Sequence, residues 1–500
     1  MDYAVIGTGP AAYAAIEALL ANATSGDTVL LVGMRPDPPR IALEGRDPRS
    51  WTPDEADALH RALKARGGRG FPPPRSRFGD LPEHWPGSHS VRLFRSDRFG
   101  GLGNFWSRLI APFAPGDFRG WPFGYDELEP YYRKVAECMG ISGVAGEFQE
   151  RYPDSFVNRP PVAAPPLLET LVNRLGTDRD PDYRIHVGHG QIAVETRDGR
   201  DDACVYCGGC FYGCFRGALF DSGARLEALI ARGRIRFLDA RVERVVPGPR
   251  VGIVLRDGTR VDVDRVFLGA GAIGTSEIVL RSFGRRGVPV YVDDNEMYNF
   301  PILYLGPRLE SGPSFPISTK VAVLVPAWDR GPAGEIKFAP LPTILFDYYL
   351  PARMARRLRP VTDRLRQRMV VAQLYVDGAT AARHALYLDR DNVLRIENVR
   401  RHHSDFRARR MIRALRRNLA GTPFLVPPFP LTKVSSSAHY VGGFSFGSQA
   451  NPIDALGQVL DGVHIIDSAA FPNTPSQTLT FTIMAYAWRT AERVHAGASE

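Results

Sequence analysis

The sequence predicts an α/β protein that begins with a Rossmann-like dinucleotide-binding unit. Its 500 residues exceed the size at which one hydrophobic core usually suffices, so we expect two interleaved domains. The N-terminal segment DYAVIGTGPAAYAAIEALL has the pattern of a strand, a glycine turn and a helix. Strands followed by a glycine turn and a helix occur again within 240–282. Strand and helix patterns in this order are typical of a sheet covered by helices.

Composition and charge are those of a globular protein with a basic surface. Hydrophobic residues make up 44% and charged residues 23% of the chain, which are ordinary values. The net charge of +9 favours acidic partners without identifying them. Nucleic acid is not an expected partner, because no nucleic-acid-binding fold accompanies the charge. We expect a cytoplasmic location and no transmembrane segment, since the sequence shows neither a secretory signal nor a long apolar run.

The N-terminal turn carries the residue types that a bound dinucleotide requires. Gly7 permits the tight turn, Gly9 lets the backbone approach a pyrophosphate, and Ala12 lets helix and strand pack closely. Pro10 stands at the start of the helix, whose N–H groups would face the phosphates. A second strand, DTVLLVG, follows the helix. The sequence therefore predicts dinucleotide binding rather than a bare packing turn.

The end of this second strand departs from the usual pattern. An Asp or Glu commonly stands there and binds the ribose hydroxyl groups. This chain has Gly33, Met34 and Arg35 instead. We therefore expect the adenosine to be held differently, with the participation of Arg35.

Further segments with characteristic glycine and aromatic patterns occur in a fixed order along the chain. They are RFGGLGNFW (98–106), GWPFGYDELEPYYRKVAE (120–137), the segment 240–282 that ends in GAIGTSEIVLRS, SAHYVGGFSFG (437–447), and 462–494 with PSQTLTFTIMA. Together with the N-terminal turn they resemble the glucose–methanol–choline (GMC) oxidoreductases. The resemblance implies FAD as the cofactor and oxidation of an alcohol by hydride transfer to the flavin N5.

The resemblance also implies how the chain is divided. Residues 1–283 would form the FAD-binding domain, with flavin-covering and cysteine-rich segments at 98–137 and 203–220. Residues 284–436 would form an α+β substrate-binding domain built on an antiparallel sheet. Residues 437–500 would return to the FAD-binding domain and carry the active-site histidine.

The middle region is predicted from its own pattern as strands and two basic helices. The strand-like runs are VPVYV, TILFDYYL, RMVVAQLYVDG and HALYLD. The arginine-rich segments 352–368 and 399–421 have apolar residues at helical spacing, which predicts amphipathic helices with solvated basic faces. The alternative is that these faces dock an acidic electron-accepting protein or an anionic membrane surface.

Matching by position assigns FAD-binding roles to residues of this chain. Gly100, Gly101 and Asn104 match the family's loop along the flavin. Val242 matches a residue whose backbone meets the adenine, and Asp467 matches the acidic residue near the ribityl chain. These residues join a cofactor-binding set that also contains Gly7, Gly9, Pro10, Ala12, Arg35, Ala270 and Thr478.

His439 and Thr478 are the predicted catalytic residues. His439 matches the histidine of the family's HxxGT segment, which is HYVGG here. Its expected role is to accept the alcohol proton as hydride leaves carbon, or to hold the alkoxide. The family usually places Asn or His where this chain has Thr478. A threonine hydroxyl can orient the substrate but cannot act as a strong base, and the alternative is that it only packs.

Four of the five cysteines lie in ACVYCGGCFYGCFRGALF (203–220): Cys204, Cys207, Cys210 and Cys214. The spacing C-x2-C-x2-C-x3-C resembles the bacterial ferredoxin run, so the segment is predicted to hold a 3Fe–4S or a 4Fe–4S cluster. It is also similar to a cysteine segment of the iron–sulfur-containing bacterial sugar dehydrogenases of the same family.

That similarity implies that the cluster passes flavin electrons to an external acceptor, which makes an electron-accepting protein a possible partner. A structural zinc site, disulfides or buried thiols are the alternatives. The sequence thus predicts an FAD-dependent dehydrogenase of a sugar, amino sugar, cyclitol or similar alcohol. An oxidase that uses O2, with structural cysteines, and a non-catalytic flavin-binding protein are the other hypotheses.

Overall fold

A computed structural model describes residues 1–36, 43–67, 83–86, 93–310, 312–327, 333–342, 350–377, 382–399, 404–428, 432–433 and 436–497. The α-helices in these ranges are α1 (Pro10–Asn22), α2 (Pro53–Gly67), α3 (Tyr125–Met139), α4 (Pro166–Arg174), α5 (Ser222–Ala231), α6 (Ala272–Phe283), α7 (Ala352–Arg366), α8 (Ser404–Asn418) and α9 (Thr480–Gly497). Short 3₁₀ helices cover Pro48–Ser50, Gly101–Phe105, Pro115–Phe118 and Ser468–Ala470.

The strands fall into a first half that ends before α6 and a second half that follows it. The first are β1 (Asp2–Ile6), β2 (Thr28–Gly33), β3 (Glu83–His84), β4 (Phe94–Arg95), β5 (Leu109–Ile110), β6 (Ile141–Ser142), β7 (Tyr183–His189), β8 (Gln191–Ala193), β9 (Arg236–Asp239), β10 (Val242–Val246), β11 (Val251–Leu255), β12 (Arg260–Val263) and β13 (Arg265–Leu268). The second are β14 (Val290–Asp294), β15 (Glu296–Tyr304), β16 (Lys320–Pro326), β17 (Gly334–Pro340), β18 (Met369–Val376), β19 (Ala382–Leu388), β20 (Leu394–Val399), β21 (Phe424–Leu425), β22 (Thr432–Lys433), β23 (Val441–Gly442), β24 (Gln458–Leu460) and β25 (Val463–Ile465).

The first sheet has the order β24-β25-β13-β1-β2-β9 and confirms the predicted Rossmann-like unit. The strands from β25 to β9 run parallel, and β24 is an antiparallel edge. Parallel strands end at the same edge of a sheet, which is where such folds bind ligands. Gly7 follows β1, Ala270 follows β13, and Asp467 follows β25, so these predicted cofactor residues meet at this edge.

Helices α1 and α9 cover this sheet with small side chains. In α1, Ala11, Ala12 and Ala15 are buried, and Ala485 and Ala491 of α9 are buried as well. Side chains of this size let two helices pack closely. The predicted role of Ala12 in close packing is therefore consistent with its position in the core.

The middle sheet is antiparallel, as the resemblance implied, in the order β21-β15-β18-β17-β16-β7, with β22 beside β15. Successive residues of a strand face opposite sides. Ile336 and Phe338 of β17 point into the core beneath α4 and α8. Glu335 and Lys337 belong to the opposite side, which carries the charged residues of this strand. Strand β7 joins this sheet from the chain before residue 284, and the domain boundaries remain a prediction.

The other predicted elements of the middle region are found where the structure describes them. VPVYV contributes to β14, RMVVAQLYVDG to β18, and HALYLD to β19, whereas TILFDYYL lies almost wholly outside the described residues. Both arginine-rich segments form helices, α7 and α8. In α8, Met411 and Leu415 are buried while Arg409 and Arg413 are exposed, which is the predicted amphipathic pattern. Within the described ranges no helix has both the length and the apolar character needed to cross a bilayer.

Candidate active site

Gly7 makes the turn after β1 and cannot be replaced by a larger residue without a collision. Its φ is +109°, and a Cβ atom there would lie 2.2 Å from the carbonyl oxygen of Gly269. This contact joins the first turn to the turn after β13. Gly9 is the N-cap of α1 and Pro10 is its first residue, so the free N–H groups of α1 open onto the same place.

The loop that begins at Gly100 packs directly on this turn. The N–H of Gly100 donates to Oγ1 of Thr8 at 3.1 Å. Gly100 has φ +100°, and a Cβ atom there would lie 2.2 Å from Oδ1 of the buried Asn104. Gly101 lies close to Gly9, since its own Cβ would stand 4.0 Å from the Cα of Gly9. The structure therefore brings both predicted glycine motifs together.

Arg35, the residue predicted to take part in holding the adenosine, lies beside two acidic residues. Its guanidinium pairs with Glu227 at 3.3 Å, and its N–H donates to Oδ1 of Asp239 at 2.9 Å. Asp239 ends β9, directly beside Gly33 in the sheet. A carboxylate therefore does stand next to the end of β2, but the neighbouring strand supplies it. Val242 begins β10 and is buried.

Asp467 links the end of β25 to the turn before α6 through hydrogen bonds. It accepts from the N–H of Gly271 at 2.8 Å and from Oγ1 of Thr275 at 2.5 Å. The Ala270 N–H donates to the same Thr275 hydroxyl at 3.1 Å. Burial raises the pKa of Asp467 to about 6, because a carboxylate loses hydration there.

These segments form a cradle of backbone at the carboxyl edge of the parallel sheet. At Gly7 and Gly100 a Cβ atom would collide with Gly269 and Asn104, so only glycine lets these turns pack this closely. A helix N-terminus faces the same region, and Asp467 can accept from a hydroxyl. This set of groups fits the pyrophosphate and ribityl parts of FAD.

His439 is held by its backbone and by its ring. Its N–H donates to Oδ1 of the buried Asp294 at 3.0 Å, and the same carboxylate accepts from the Ser437 N–H at 3.0 Å. Between them Ala438 has φ +62°, which is unfavourable for a residue with a side chain. The ring of His439 stacks on Tyr375 with centroids 5.3 Å apart. The histidine is therefore fixed in a turn that the Asp294 carboxylate stabilises.

Asn295 determines which nitrogen of His439 carries the proton. The Asn295 Nδ2 donates to the carbonyl of Pro475 at 2.7 Å, and Oδ1 accepts from Oγ1 of Thr474 at 2.8 Å. A carbonyl can only accept, so the orientation of the amide is fixed. The same Nδ2 lies 3.3 Å from Nδ1 of His439. Nδ1 must therefore be the acceptor, and the neutral ring carries its hydrogen on Nε2.

The charge state of His439 follows from its surroundings. Burial, and then the nearby Lys337 cation, lower its pKa to about 3. Burial and the Lys337 cation both disfavour the protonated, positively charged form of the His439 ring. The imidazole is therefore neutral at physiological pH.

Thr478 is buried and has a backbone partner of its own. It is 4% exposed, and its Oγ1 donates to the carbonyl of Leu109 at 2.9 Å. Its remaining capacity is that of an acceptor. The segment 474–478 is joined to the histidine through Asn295, so the structure places both residues on connected segments.

Sequence reasoning missed the buried ion pair above the histidine. Glu335 and Lys337 are 5% and 2% exposed, with Oε1 and Nζ 3.6 Å apart. The Lys337 Nζ lies 3.8 Å from the ring centroid of Tyr375, which in turn stacks on His439. Burial raises the pKa of Glu335 and lowers that of Lys337. The signal was present in GEIKFAP, where two charges alternate with apolar residues in a strand.

The four clustered cysteines are close to one another and unpaired. All are free thiols, as is Cys138, so the structure does not contain the alternative disulfides. Burial raises the pKa of Cys204 to about 11 and that of Cys210 well above its usual range, and the charges of the other three thiols add to the shift at Cys210. The N–H of Gly209 donates to Sγ of Cys207 at 3.4 Å.

The cysteines do not form a preassembled metal site. Among the described residues no group of three or more Cys, His, Asp or Glu side chains is arranged to hold a metal ion. The buried guanidinium of Arg108 lies near the sulfur atoms of Cys210 and Cys214. It donates to the backbone carbonyls of Trp106 and Phe220, and so bridges the 98–106 loop and the cysteine segment.

No protein-family model matches the chain. The 2-methyl-1,2-propanediol dehydrogenase of Mycolicibacterium austroafricanum is 29% identical over 259 residues, which are 48% of this chain and 46% of that protein. The match therefore spans about half the length of this relative.

Solved structures resemble the whole chain, and two of them illustrate the likeness. Pyridoxine 4-oxidase from Mesorbium loti aligns with a TM-score of 0.62 at 17% identity, covering 99% of both chains. An FAD-dependent oxidoreductase from Chaetomium thermophilum aligns with a TM-score of 0.59 at 14% identity, again over 99% of both. The chain therefore has the fold of the GMC-type FAD-binding oxidoreductases, which confirms the predicted fold class.

Replacement of Gly7 by Ala should abolish cofactor binding. The new Cβ would lie against the Gly269 carbonyl at a positive φ, which alone costs about 1–2 kcal/mol for a residue with a side chain. We expect purified Gly7→Ala protein to lack flavin absorbance and to unfold at a lower temperature. Gly26→Ala, where a Cβ meets nothing within 4 Å, should retain both properties. Full FAD content in Gly7→Ala would contradict the assignment of the cradle.

His439 should not titrate near neutral pH. Its pKa is lowered to about 3 from the ordinary 6.5, so the folded ring stays neutral as the pH falls from 8 to 5. We expect ¹⁵N NMR of histidine-labelled holoenzyme to show a neutral ring with its hydrogen on Nε2 throughout this range. His439→Gln assigns the signal. A midpoint near pH 6.5, or a hydrogen on Nδ1, would refute the arrangement.

Proposed function

We propose that this protein is an FAD-dependent oxidoreductase that converts a carbinol of a sugar, amino sugar, cyclitol or similar alcohol to a carbonyl. The observation that carries this proposal is the linkage of His439 to the cofactor cradle. Ser468, next to Asp467, donates through Oγ to the carbonyl of Tyr440, next to His439, at 2.7 Å. The fold is that of FAD-binding oxidoreductases, and bound FAD would supply the hydride acceptor. The partial relative that is named a diol dehydrogenase supports an alcohol substrate.

The tautomer of His439 supports one of its two predicted roles. A neutral imidazole that carries its hydrogen on Nε2 can donate to the substrate oxygen but cannot take a proton at that atom. The arrangement of Asn295 therefore supports His439 as the group that donates to the substrate oxygen and stabilises a developing alkoxide, while the hydroxyl proton would leave to solvent. The Lys337 cation behind Tyr375 adds to the positive potential there.

Thr478 supports a secondary role. Because its hydroxyl hydrogen is directed at the carbonyl of Leu109, only its oxygen lone pairs are open to a substrate. It can therefore accept from a substrate hydroxyl and orient it.

His439 and Thr478 should differ strongly in their contribution to catalysis. We expect His439→Ala to retain FAD but to lower the anaerobic rate of flavin reduction by alcohol by about 100-fold or more, the scale for losing a donor to a developing oxyanion. Thr478→Val, which keeps the shape and removes the hydroxyl, should cost far less. Stopped-flow absorbance of the flavin measures both. Equal losses in the two variants, or a wild-type rate in His439→Ala, would contradict these roles.

An iron–sulfur cluster on the four cysteines is a further part of the proposal. Such a cluster would supply one-electron transfer, and an external protein acceptor would then be a partner. Support comes from the number of thiols, their proximity and the N–H donor to Cys207. The ligands are not preassembled in the described residues, so binding would have to draw the sulfur atoms together.

A cytoplasmic location also remains a prediction.

Iron analysis tests this part separately from the alcohol chemistry. Protein produced with ample iron and kept anaerobic should contain iron and acid-labile sulfide. Cys210→Ser should lose most of both, whereas Cys138→Ser, a cysteine outside the cluster, should retain them. Iron-free wild-type protein, or equal iron in the two variants, would overturn the cluster while leaving the FAD-dependent activity standing.

The alternative is an oxidase that reoxidises its flavin with O2. The whole-chain likeness to pyridoxine 4-oxidase favours it. Mixing the anaerobically reduced protein with oxygenated buffer distinguishes the two, since an oxidase would reoxidise its flavin within the time of one turnover.

A further inference from the structure

A narrow cleft lies between Thr478 and the middle sheet. Its walls are largely apolar and include Leu109, Ile110 and Val323, while Gln191, Glu335 and Thr478 add polar groups. Its cavity volume is about 20 Å³, which is enough for one group of the size of a water molecule or a hydroxyl. Pockets with apolar walls and a few placed polar groups are typical of small-molecule sites. The cleft is therefore suited to one polar arm of a small ligand.

Gln191, Thr478 and Glu335 each present an acceptor to this cleft, which Tyr152 and His189 also line. The Oε1 atom of Gln191 is buried and has no hydrogen-bond partner in the described part of the chain. The hydroxyl hydrogen of Thr478 is already directed at the Leu109 carbonyl. Glu335 is 5% exposed and its nearest cation, the Lys337 Nζ, stands 3.6 Å away. An orphaned buried acceptor is unfavourable, so a ligand that donates here would satisfy it.

The charges around the cleft select a neutral donor. Lys337 already balances Glu335. A second buried lysine, Lys320, donates to Nε2 of the cleft residue His189 at 2.6 Å and pairs with Glu169 at 2.9 Å. A ligand ammonium group would be repelled by the cations of Lys320 and Lys337. The acids Glu169 and Glu335 are already paired with these two lysines. A carboxylate would face Glu335, and the nearby cations Lys337 and Arg151 are already paired with Glu335 and Asp117. A hydroxyl group carries no charge, so neither the lysines nor Glu335 repels it.

We propose that Gln191 and Glu335 bind a second hydroxyl group of the substrate, so that the protein prefers diols and small polyols over simple alcohols. This inference rests on the proposed function, because it assigns the carbinol to His439 and the second hydroxyl to the cleft. Gln191 accepts through Oε1, and Glu335 accepts through its carboxylate. Both are specificity-determining residues and take no part in the redox step.

The matched pair 1,2-propanediol and 1-propanol tests the assignment. We expect wild-type holoenzyme to reduce its flavin with the diol at a kcat/KM at least about tenfold above that for 1-propanol. Gln191→Leu should remove most of this preference by lowering kcat/KM for the diol about tenfold, while 1-propanol is nearly unaffected. Gln191→Met is the second variant in case Gln191→Leu does not fold. Gln367→Leu, at an exposed glutamine, is the matched control and should keep the wild-type ratio.

Two further results separate this inference from the proposed function. Equal use of both alcohols by the wild type, or equal losses for both in Gln191→Leu, would overturn the inference and leave the oxidoreductase proposal standing. If neither alcohol reduces the flavin, the proposed function fails for this substrate class. Calorimetric titration of the holoenzyme then tests the binding role of the cleft by itself. Tighter binding of the diol than of 1-propanol, with the difference lost in Gln191→Leu, supports this role. Equal binding of the two alcohols refutes it.

Discussion

The adjacent residues Asp294 and Asn295 control how the protein presents its histidine. They lie where β14 ends and β15 begins, so one polar dipeptide stands between two sheets. Asp294 accepts from the backbone of His439 and stabilises the strained turn before it. Asn295 joins the ring of His439 to the carbonyl of Pro475. The C-terminal return of the chain is therefore tied to the junction of β14 and β15 beside the ring of His439.

Burial and hydrogen bonding act together on this ring. Burial and the Lys337 cation keep it neutral, and Asn295 selects the Nε2 tautomer. A role as base at Nε2 would require the hydrogen to move to Nδ1. The Asn295 amide would then have to present its oxygen to Nδ1, and its nitrogen would leave the carbonyl of Pro475 without a donor. Because an unsatisfied buried carbonyl is costly, the surroundings of Asn295 hold the donor form in place.

The sequence was informative where the structure is local and less so where distant segments meet. The turn at Gly7 was predicted because strand, glycine and helix follow one another within a few residues. Asn295 was not, because it is 144 residues from His439 along the chain and an asparagine after a strand has no distinctive pattern. Asp239 was missed for the same reason, since it stands beside Gly33 only through the pairing of β2 with β9. Glu335 and Lys337 did carry a signal, two charges in an otherwise apolar strand.

The cysteine segment shows the limit of spacing as an argument. Four thiols within a short run must be near one another, but spacing does not determine whether their sulfur atoms converge or lose their protons. Burial opposes thiolate formation at Cys210, whereas the buried Arg108 cation favours it. Burial lowers the pKa of Arg108 only to about 10, so its charge persists at neutral pH. A bound metal would need thiolates, and Arg108 is the group in place that reduces the cost of forming them. The same guanidinium donates to a carbonyl of the 98–106 loop and to Phe220 of the cysteine segment, so one side chain contacts both the predicted flavin loop and the cysteine segment.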